Sequence, residues 1–301
     1  MPRAAWRVAM TTMQGMQGGI AVRTPRERPP LSSEIAAFYA IADEARRLTA
    51  GIGLLELVRT QEILRRLMPA APAVVLDVGG AAGAHACWLA RDGYAVHLID
   101  PLPQHVEQAR HASLAQPGHP LAGIEEGDAR RLDFADGFAH VVLELGPLYH
   151  LTSRDDRLAA LREARRVLKP GGMLFAAAIS RFASALGAMG ANQLVDPEFF
   201  ALVERDLTDG QHRNPTDRLD WFTTAFFHRP EELRAEVLEA GFTVDALLGV
   251  EGPAWILPDF GARWGEPVAR GRLLAVLRAI EAEPTLLGAS AHVIAVGRKP
   301  A

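Results

Sequence analysis

Cysteine is almost missing from this chain. Cys87 stands alone among 301 residues, so no internal disulfide can form, and a lone thiol suits a reducing cytoplasm. An excess of basic charge is also missing. The formal net charge is -4 and the pI about 6.2, which argues against a general phosphate-backbone binder and leads us to expect no nucleic-acid partner. No uninterrupted apolar run is long enough to span a bilayer, so no membrane partner is expected and the reading is cytoplasmic. Clustered His/Cys ligand spacing is lacking too, and no metal is expected. What the chain has is 49% hydrophobic residues, enough to bury a sizeable core as one large domain. Residues 1–30, with scattered methionines, glycines and arginines before Pro29-Pro30, read as a disordered leader.

Two helical patterns come first, one capped by Ser33 and running toward Gly51, the other from Leu54 to Leu67. Short apolar runs then alternate with helical stretches. The runs are Ala73–Val78, Ala95–Asp100, Leu121–Glu125, His140–Leu145 and Met173–Ile179. Ser153 with Asp156 has the spacing of a capping box. Wholly apolar strands separated by helices imply a parallel sheet covered on both faces, an α/β fold. The alternation breaks at 181–229, where Asp196 caps a helix from Pro197 to Asp209 stopped by Gly210. It resumes at Pro230 and ends on the strand Ala291–Val296. We therefore expect a single domain over 31–301. N-terminal cap helices occupy 31–67, the core 68–180 and 230–299, and cap insertions 181–229 and 251–290.

The sharpest segment is Val75 to Gly83, Val-Leu-Asp-Val-Gly-Gly-Ala-Ala-Gly. A strand ends in an acid, and a turn of small residues opens a helix. Small residues let a ligand approach the backbone, and a helix N-terminus offers unpaired N–H groups. In an open α/β sheet this crevice is where ligands sit. NAD and S-adenosylmethionine (SAM) both fit such a crevice, and Asp100 at the end of the second strand is placed to accept from two ribose hydroxyls. Asp77 separates them, because a carboxylate beside the turn repels a pyrophosphate and attracts the ammonium of SAM. Ala81 and Ala84 also replace the second and third glycines of a dinucleotide fingerprint.

Three further segments are ordered along the chain: Gly127-Asp128-Ala129, then Leu145-Gly146-Pro147-Leu148-Tyr149-His150-Leu151 after Glu144, then Leu168-Lys169-Pro170-Gly171-Gly172. Together with the glycine turn, over about residues 55–299, they resemble class I SAM-dependent methyltransferases of the ubiquinone-biosynthesis-like (type 11-like) group. The resemblance implies a Rossmann-like, seven-stranded, mostly parallel sheet with an antiparallel last strand and helical cap insertions. It implies that Asp77, Gly79, Gly80, Ala81 and Gly83 hold the methionine part of SAM, and that Asp100, followed by Pro101, binds the ribose. Asp128 then faces the adenine amino group with Ala129 beside it, and Leu145 faces the methyl-bearing end. The product is S-adenosylhomocysteine (SAH). Ala81 departs from a usual glycine, so tighter cofactor packing is expected; His140 departs from a usual aspartate and is read as surface variation.

Arg59 and Tyr39, in the N-terminal helices, are candidate cofactor contacts, Arg59 through a bidentate pair with the SAM carboxylate. Arg59 reads equally as a solvated helix arginine, and Tyr39 reads more readily as a packing side chain than as a contact. Tyr149, His150 and His228 are candidate catalytic residues, His150 as a general base. His212, Arg213 and Asn214 form a polar loop beside the aromatic run Trp221–His228, either substrate-binding material or surface. Trp255 and Phe260 carry the same ambiguity, and Cys87 reads as packing. The expected reaction is methyl transfer from SAM to an N, O or C atom of a small-molecule acceptor. A NAD-dependent oxidoreductase and a non-catalytic SAM-binding module stay open as alternatives, as does a homodimer.

Overall fold

The computed structural model describes residues 32–216 and 218–301; the leader expected at 1–30 lies outside them. The chain opens with helices α1 (Ser33–Ile41), α2 (Glu44–Arg47) and α3 (Gly53–Leu67). The single helix expected from Ser33 toward Gly51 is thus two pieces, because Ala42 turns to an extended backbone after α1. Ser32, not Ser33, stands at the N-cap, and its side chain makes no cap bond.

Strands β1 (Val74–Val78), β2 (Ala95–Asp100), β3 (Gly123–Glu126), β4 (Ala139–Glu144) and β5 (Leu168–Ile179) alternate with helices α4 (Ala84–Arg91), α5 (Pro103–Leu114), α6 (Pro147–His150) and α7 (Arg154–Val167). The insertion after β5 holds α8 (Ala183–Ala191), α9 (Pro197–Asp209) and a two-stranded ribbon of β6 (Gln211–His212) and β7 (Ala225–Phe226). Then come α10 (Pro230–Glu239), β8 (Thr243–Gly249), α11 (Phe260–Gly265), α12 (Pro267–Ile280) and β9 (His292–Arg298).

The sheet has seven strands in the order β3-β2-β1-β4-β5-β9-β8. The first five pair in parallel, and β9 runs antiparallel between β5 and β8. Order reverses on either side of β1, so the crevice beyond the ends of β1 and β4 is the switch point where α/β sheets bind ligands. Alternate residues of each strand feed opposite faces. Val75, Val141, Leu143, Phe175 and Ile294 pack on one with α3 and α4, while Leu76, Val142, Leu174 and Ala295 pack on the other with α7 and α10. Burial on both faces explains why these strands read as continuous apolar runs.

Local signals account for most ends. Asp196 Oδ1 accepts from Glu198 N (3.0 Å) and Phe199 N (3.3 Å), and Gly210 ends α9 with φ 76°. Ser153 precedes α7 without a side-chain cap bond, so the expected capping box does not form. β5 begins at Leu168 rather than Met173, with a register shift against β4 that absorbs the Lys-Pro-Gly-Gly stretch. His140 is not surface variation: its Nδ1 accepts from Val74 N (2.9 Å), and its Nε2 lies 2.8 Å from Lys169 Nζ, tying β4 to the start of β1.

Arg59 requires a correction. Its side chain is fully buried in α3. Its guanidinium donates to Glu62 (2.5 Å), to Glu281 after α12 (2.5 Å) and to Val250 O after β8 (3.1 Å). It clamps α3 to the far end of the sheet and faces no crevice. Removing it empties a fully buried side-chain site, frees Val250 O and leaves Glu281 with Arg66 alone as its arginine partner, so Arg59→Ala should lower the unfolding free energy by about 3 kcal/mol in urea titrations. The folded variant should bind SAH within about twofold of the parent. Lost SAH affinity with unchanged stability would contradict the assignment.

Candidate active site

A cavity of about 630 Å³ opens where β1, β2 and β4 end, roofed by α1 and α2 and walled by α3, α4 and α5. That volume falls within the roughly 300–1,000 Å³ of small-molecule sites. Its floor is the glycine turn. Gly79 and Gly83 have φ of 70° and 86°, in the region that favours glycine. A Cβ on Gly79 would lie 2.8 Å from Pro147 Cδ, so the turn and the Gly146-Pro147 corner meet only because that side chain is missing. Gly79 N and Gly80 N donate to Ile99 O at 2.7 and 3.3 Å, pinning the turn to β2. Ala81 has φ 46°, a left-handed position that costs a side-chain-bearing residue about 1 kcal/mol. The N-cap of α4 is Gly83, which has no side chain to bond the first N–H groups; among these, Ala86 N–H is taken by Asp77.

Asp100 braces the adjoining wall. Its Oδ2 accepts from Ala81 N (2.9 Å), and its Oδ1 from Leu102 N (3.0 Å) and from His105 Nδ1 (3.1 Å). Oδ2 keeps one lone pair for a ligand. Asp128 is braced similarly. Its Oδ1 accepts from Arg130 N (2.8 Å) and Nε (2.9 Å), and its Oδ2 from the Arg130 guanidinium (2.7 Å). Asp77 is different. It is buried, its Oδ2 has no hydrogen-bond partner among the described residues, and burial followed by the Asp100 charge raises its carboxyl to about 7. The backbone N–H of Ala86, in the first turn of α4, donates to this carboxyl and acts to lower it, so the open Oδ2 is the natural seat of a cationic group.

The roof carries the residues expected near the reacting end. Tyr39 of α1 donates its hydroxyl to His150 Nε2 (2.9 Å), and His150 Nδ1 lies 3.4 Å from Thr224 O. A carbonyl can only accept, so Nδ1 carries the ring hydrogen and Nε2 receives Tyr39. Burial pushes His150 down to about 4 and raises the Tyr149 phenol well above its ordinary value. His150 is therefore neutral, with its lone pair already used. Pro101, Ala129, Leu145 and Tyr149 complete the wall.

His228 does not reach the cavity. Its ring is buried on the far side of the β5 end, with Nε2 3.3 Å from Glu236, edge-on to Phe226, so its expected catalytic role is corrected to a structural one. The polar loop of the insertion is internal bracing as well. His212 bonds Asp206 (2.8 Å) and Trp221 O (2.7 Å) and stacks on Phe227, while Asn214 bridges Arg218 O and Phe222 O. Trp255 bonds Ala289 O, and Phe260 packs against Leu55. Sequence reasoning missed Glu44, Arg47, Glu56 and His85, all on the cavity wall. Their only signal is the charged pattern of the first two helices, which looks the same on any solvated face. Glu144, whose backbone the resemblance places with Leu145 near the methyl-bearing end, has a carboxyl that is wholly buried without a partner among the described residues and is raised by burial to about 8.

Known proteins are similar to this chain in sequence and in fold. A family model described as a methyltransferase domain matches residues 75–172, the span from the glycine turn to the β5 bulge. A ubiquinone biosynthesis O-methyltransferase from Xanthomonas axonopodis pv. citri is 30% identical over 229 residues, 74% of this chain and 85% of that protein. The methyltransferase GfsG from Streptomyces halstedii is 32% identical over 116 residues, and the match spans only 41% of its length. In fold, the chain superposes on an S-adenosylmethionine-dependent methyltransferase from Mesorhizobium loti with a TM-score of 0.54 and 15% identity, covering 81% of this chain and all of that one. With the Gly79–Gly83 turn, the braced Asp100 and the antiparallel β9 in place, the chain belongs to the class I SAM-dependent methyltransferases, enzymes that take their methyl group from SAM.

Proposed function

We propose that the chain methylates a small, largely apolar acceptor enclosed between the bound cofactor and the α1 roof. The carrying observation is the single cavity wall shared by Asp77, Asp100, Asp128 and the Tyr39–His150 pair. Asp100 takes the ribose hydroxyls through its remaining lone pair, and Asp128, held by Arg130, faces the adenine. The open Oδ2 of Asp77 receives the ammonium. Arg47 takes the place first expected of Arg59 and pairs with the carboxylate. Bound SAM supplies a methyl group activated by a positive sulfur.

The residues then align the partners and exclude water. Tyr39, Tyr149 and His150 present aromatic rings to the cavity, with His150 5.5 Å from Tyr39 and 4.7 Å from Tyr149, which suits a flat or apolar acceptor. The Xanthomonas relative is named for O-methylation, which favours oxygen over nitrogen or carbon as the attacked atom. His150, neutral and already accepting from Tyr39, is a poor general base. We assign it to fixing the Tyr39 hydroxyl and the roof, and an acceptor hydroxyl gives up its proton to solvent before it is enclosed.

Calorimetric titration with SAH tests the cofactor site. The parent should bind, and Asp100→Ala should weaken binding at least about 100-fold by removing both the ribose acceptor and the brace on the turn. Binding of NADH in preference to SAH, or an unchanged Asp100→Ala affinity, would refute the assignment. Binding should also depend on pH. A ligand ammonium beside Asp77 favours its ionised form, so below pH 7 the complex forms only with proton release. SAH affinity should be flat above pH 7 and fall by up to about tenfold per unit below it, and Asp77→Asn should flatten the profile. A pH-independent affinity in the parent would contradict this role.

A further inference from the structure

Glu56 of the cavity wall and, behind it, Glu251 and His292 bring their side-chain donor atoms within 4.8 Å of one another. The spacing resembles a metal site, but the positive charge is supplied by the chain itself. Glu56, on α3, accepts from both terminal nitrogens of Arg47, at 2.5 and 3.0 Å. Glu251, after β8, accepts at Oε2 from Ser290 Oγ (2.9 Å) and His292 N (2.9 Å), and its Oε1 lies 2.7 Å from His292 Nδ1. His292, the first residue of β9, also has Nδ1 4.0 Å from Glu56. A chain of alternating charge thus runs from the sheet to the cavity: Glu251, His292, Glu56, Arg47.

Arg47 needs such support. It belongs to a four-residue helix without a side-chain N-cap bond, and a free arginine there would lose considerable rotamer entropy on binding a ligand. Instead its Nε donates to Glu44 at 2.7 Å and its two terminal nitrogens hold Glu56. Of five guanidinium N–H groups, two are left for a ligand carboxylate. Three carboxylates crowd this corner, and a second cation is what balances them. Burial acts to lower the His292 imidazole, but Glu251 and Glu56 outweigh it and raise it to about 9. Burial likewise acts to raise Glu56, but His292 and Arg47 outweigh it and bring it to about 2. His85, also beside Glu56, is lowered by burial to about 4 and stays neutral, so it does not substitute for His292.

We propose that His292 is a positioning residue for the amino-acid end of the cofactor: as the cation between Glu251 and Glu56, it fixes the carboxylate that orients Arg47 on the cavity wall. The inference rests on the SAM reading of the cavity and adds a remote determinant on β9, outside the motifs that carry the family resemblance.

Two ligands that differ only at the amino-acid end separate the possibilities. SAH carries the ammonium and carboxylate; 5′-methylthioadenosine keeps the adenosine and thioether without them. In calorimetric titrations of the full chain, His292→Gln should weaken SAH about tenfold and leave methylthioadenosine within about twofold. Glu251→Gln, which removes the charge behind His292, should give the same selective loss and serves if His292→Gln does not fold. A structural role alone would weaken both ligands together, and that result, or no change in either, would overturn the proposal. If the parent binds neither ligand, the cofactor reading itself fails, and this inference falls with it.

Discussion

A single carboxylate holds together the two loops on which the site depends. Asp100 is almost wholly buried, where an unpaired charge is costly, yet three donors meet it: Ala81 N from the glycine turn, and Leu102 N and His105 from its own loop and α5. The turn after β1 is thereby fixed to the end of β2, and Gly79 and Gly80 reinforce the link through Ile99 O. The same bond from Ala81 N helps retain Ala81 at a positive φ that an alanine otherwise avoids. His105 passes the constraint upward, since its ring meets Tyr39 edge-on at 5.1 Å. Floor, wall and roof are thus braced by one residue.

Charge is otherwise distributed in opposite ways on the two sides of the cavity. Toward α2 and β9 the carboxylates are paired, through Arg47 and His292. Toward β1 and β4 they are not: Asp77 has an open oxygen and Glu144 two, and burial raises both groups. Asp77 lies on the cavity wall, so a ligand cation can satisfy it. Glu144 lies between Val78 and Ala176 in the sheet register, off the wall, and burial favours its protonated, neutral form. A site that leaves one carboxyl open while pairing the rest selects a ligand with a positive group at one defined place.

The fold was legible because both faces of the sheet are covered. Strands such as Val74–Val78 and Ala139–Glu144 carry consecutive apolar residues, Val74 to Leu76 and Val141 to Leu143, that feed both faces, and Asp196, Gly210 and Gly241 mark turns with their own chemistry. The glycine turn, Asp100 and Asp128 were legible because a ligand-binding crevice demands small residues and acids at strand ends. The arginines and histidines were not. Arg47 and Arg59 are twelve residues apart in a charged helical pattern, and only tertiary packing turns one to the cavity and buries the other against Glu281. His150 and His228 each follow a strand-like run, yet one meets Tyr39 on the roof and the other meets Glu236 behind the sheet. Long-range partners of this kind leave no local trace. Capping by Ser153 failed for the converse reason: its spacing fits a capping box, and the side chain makes no such bond.

The most direct test is a crystal structure of the chain with SAH. The account predicts the ribose hydroxyls within hydrogen-bond distance of Asp100, the ammonium beside Asp77 and the carboxylate on Arg47, with Tyr39 and His150 enclosing the sulfur end. An adenosyl group seated away from Asp100, or an amino-acid end turned away from both Asp77 and Arg47, would contradict it.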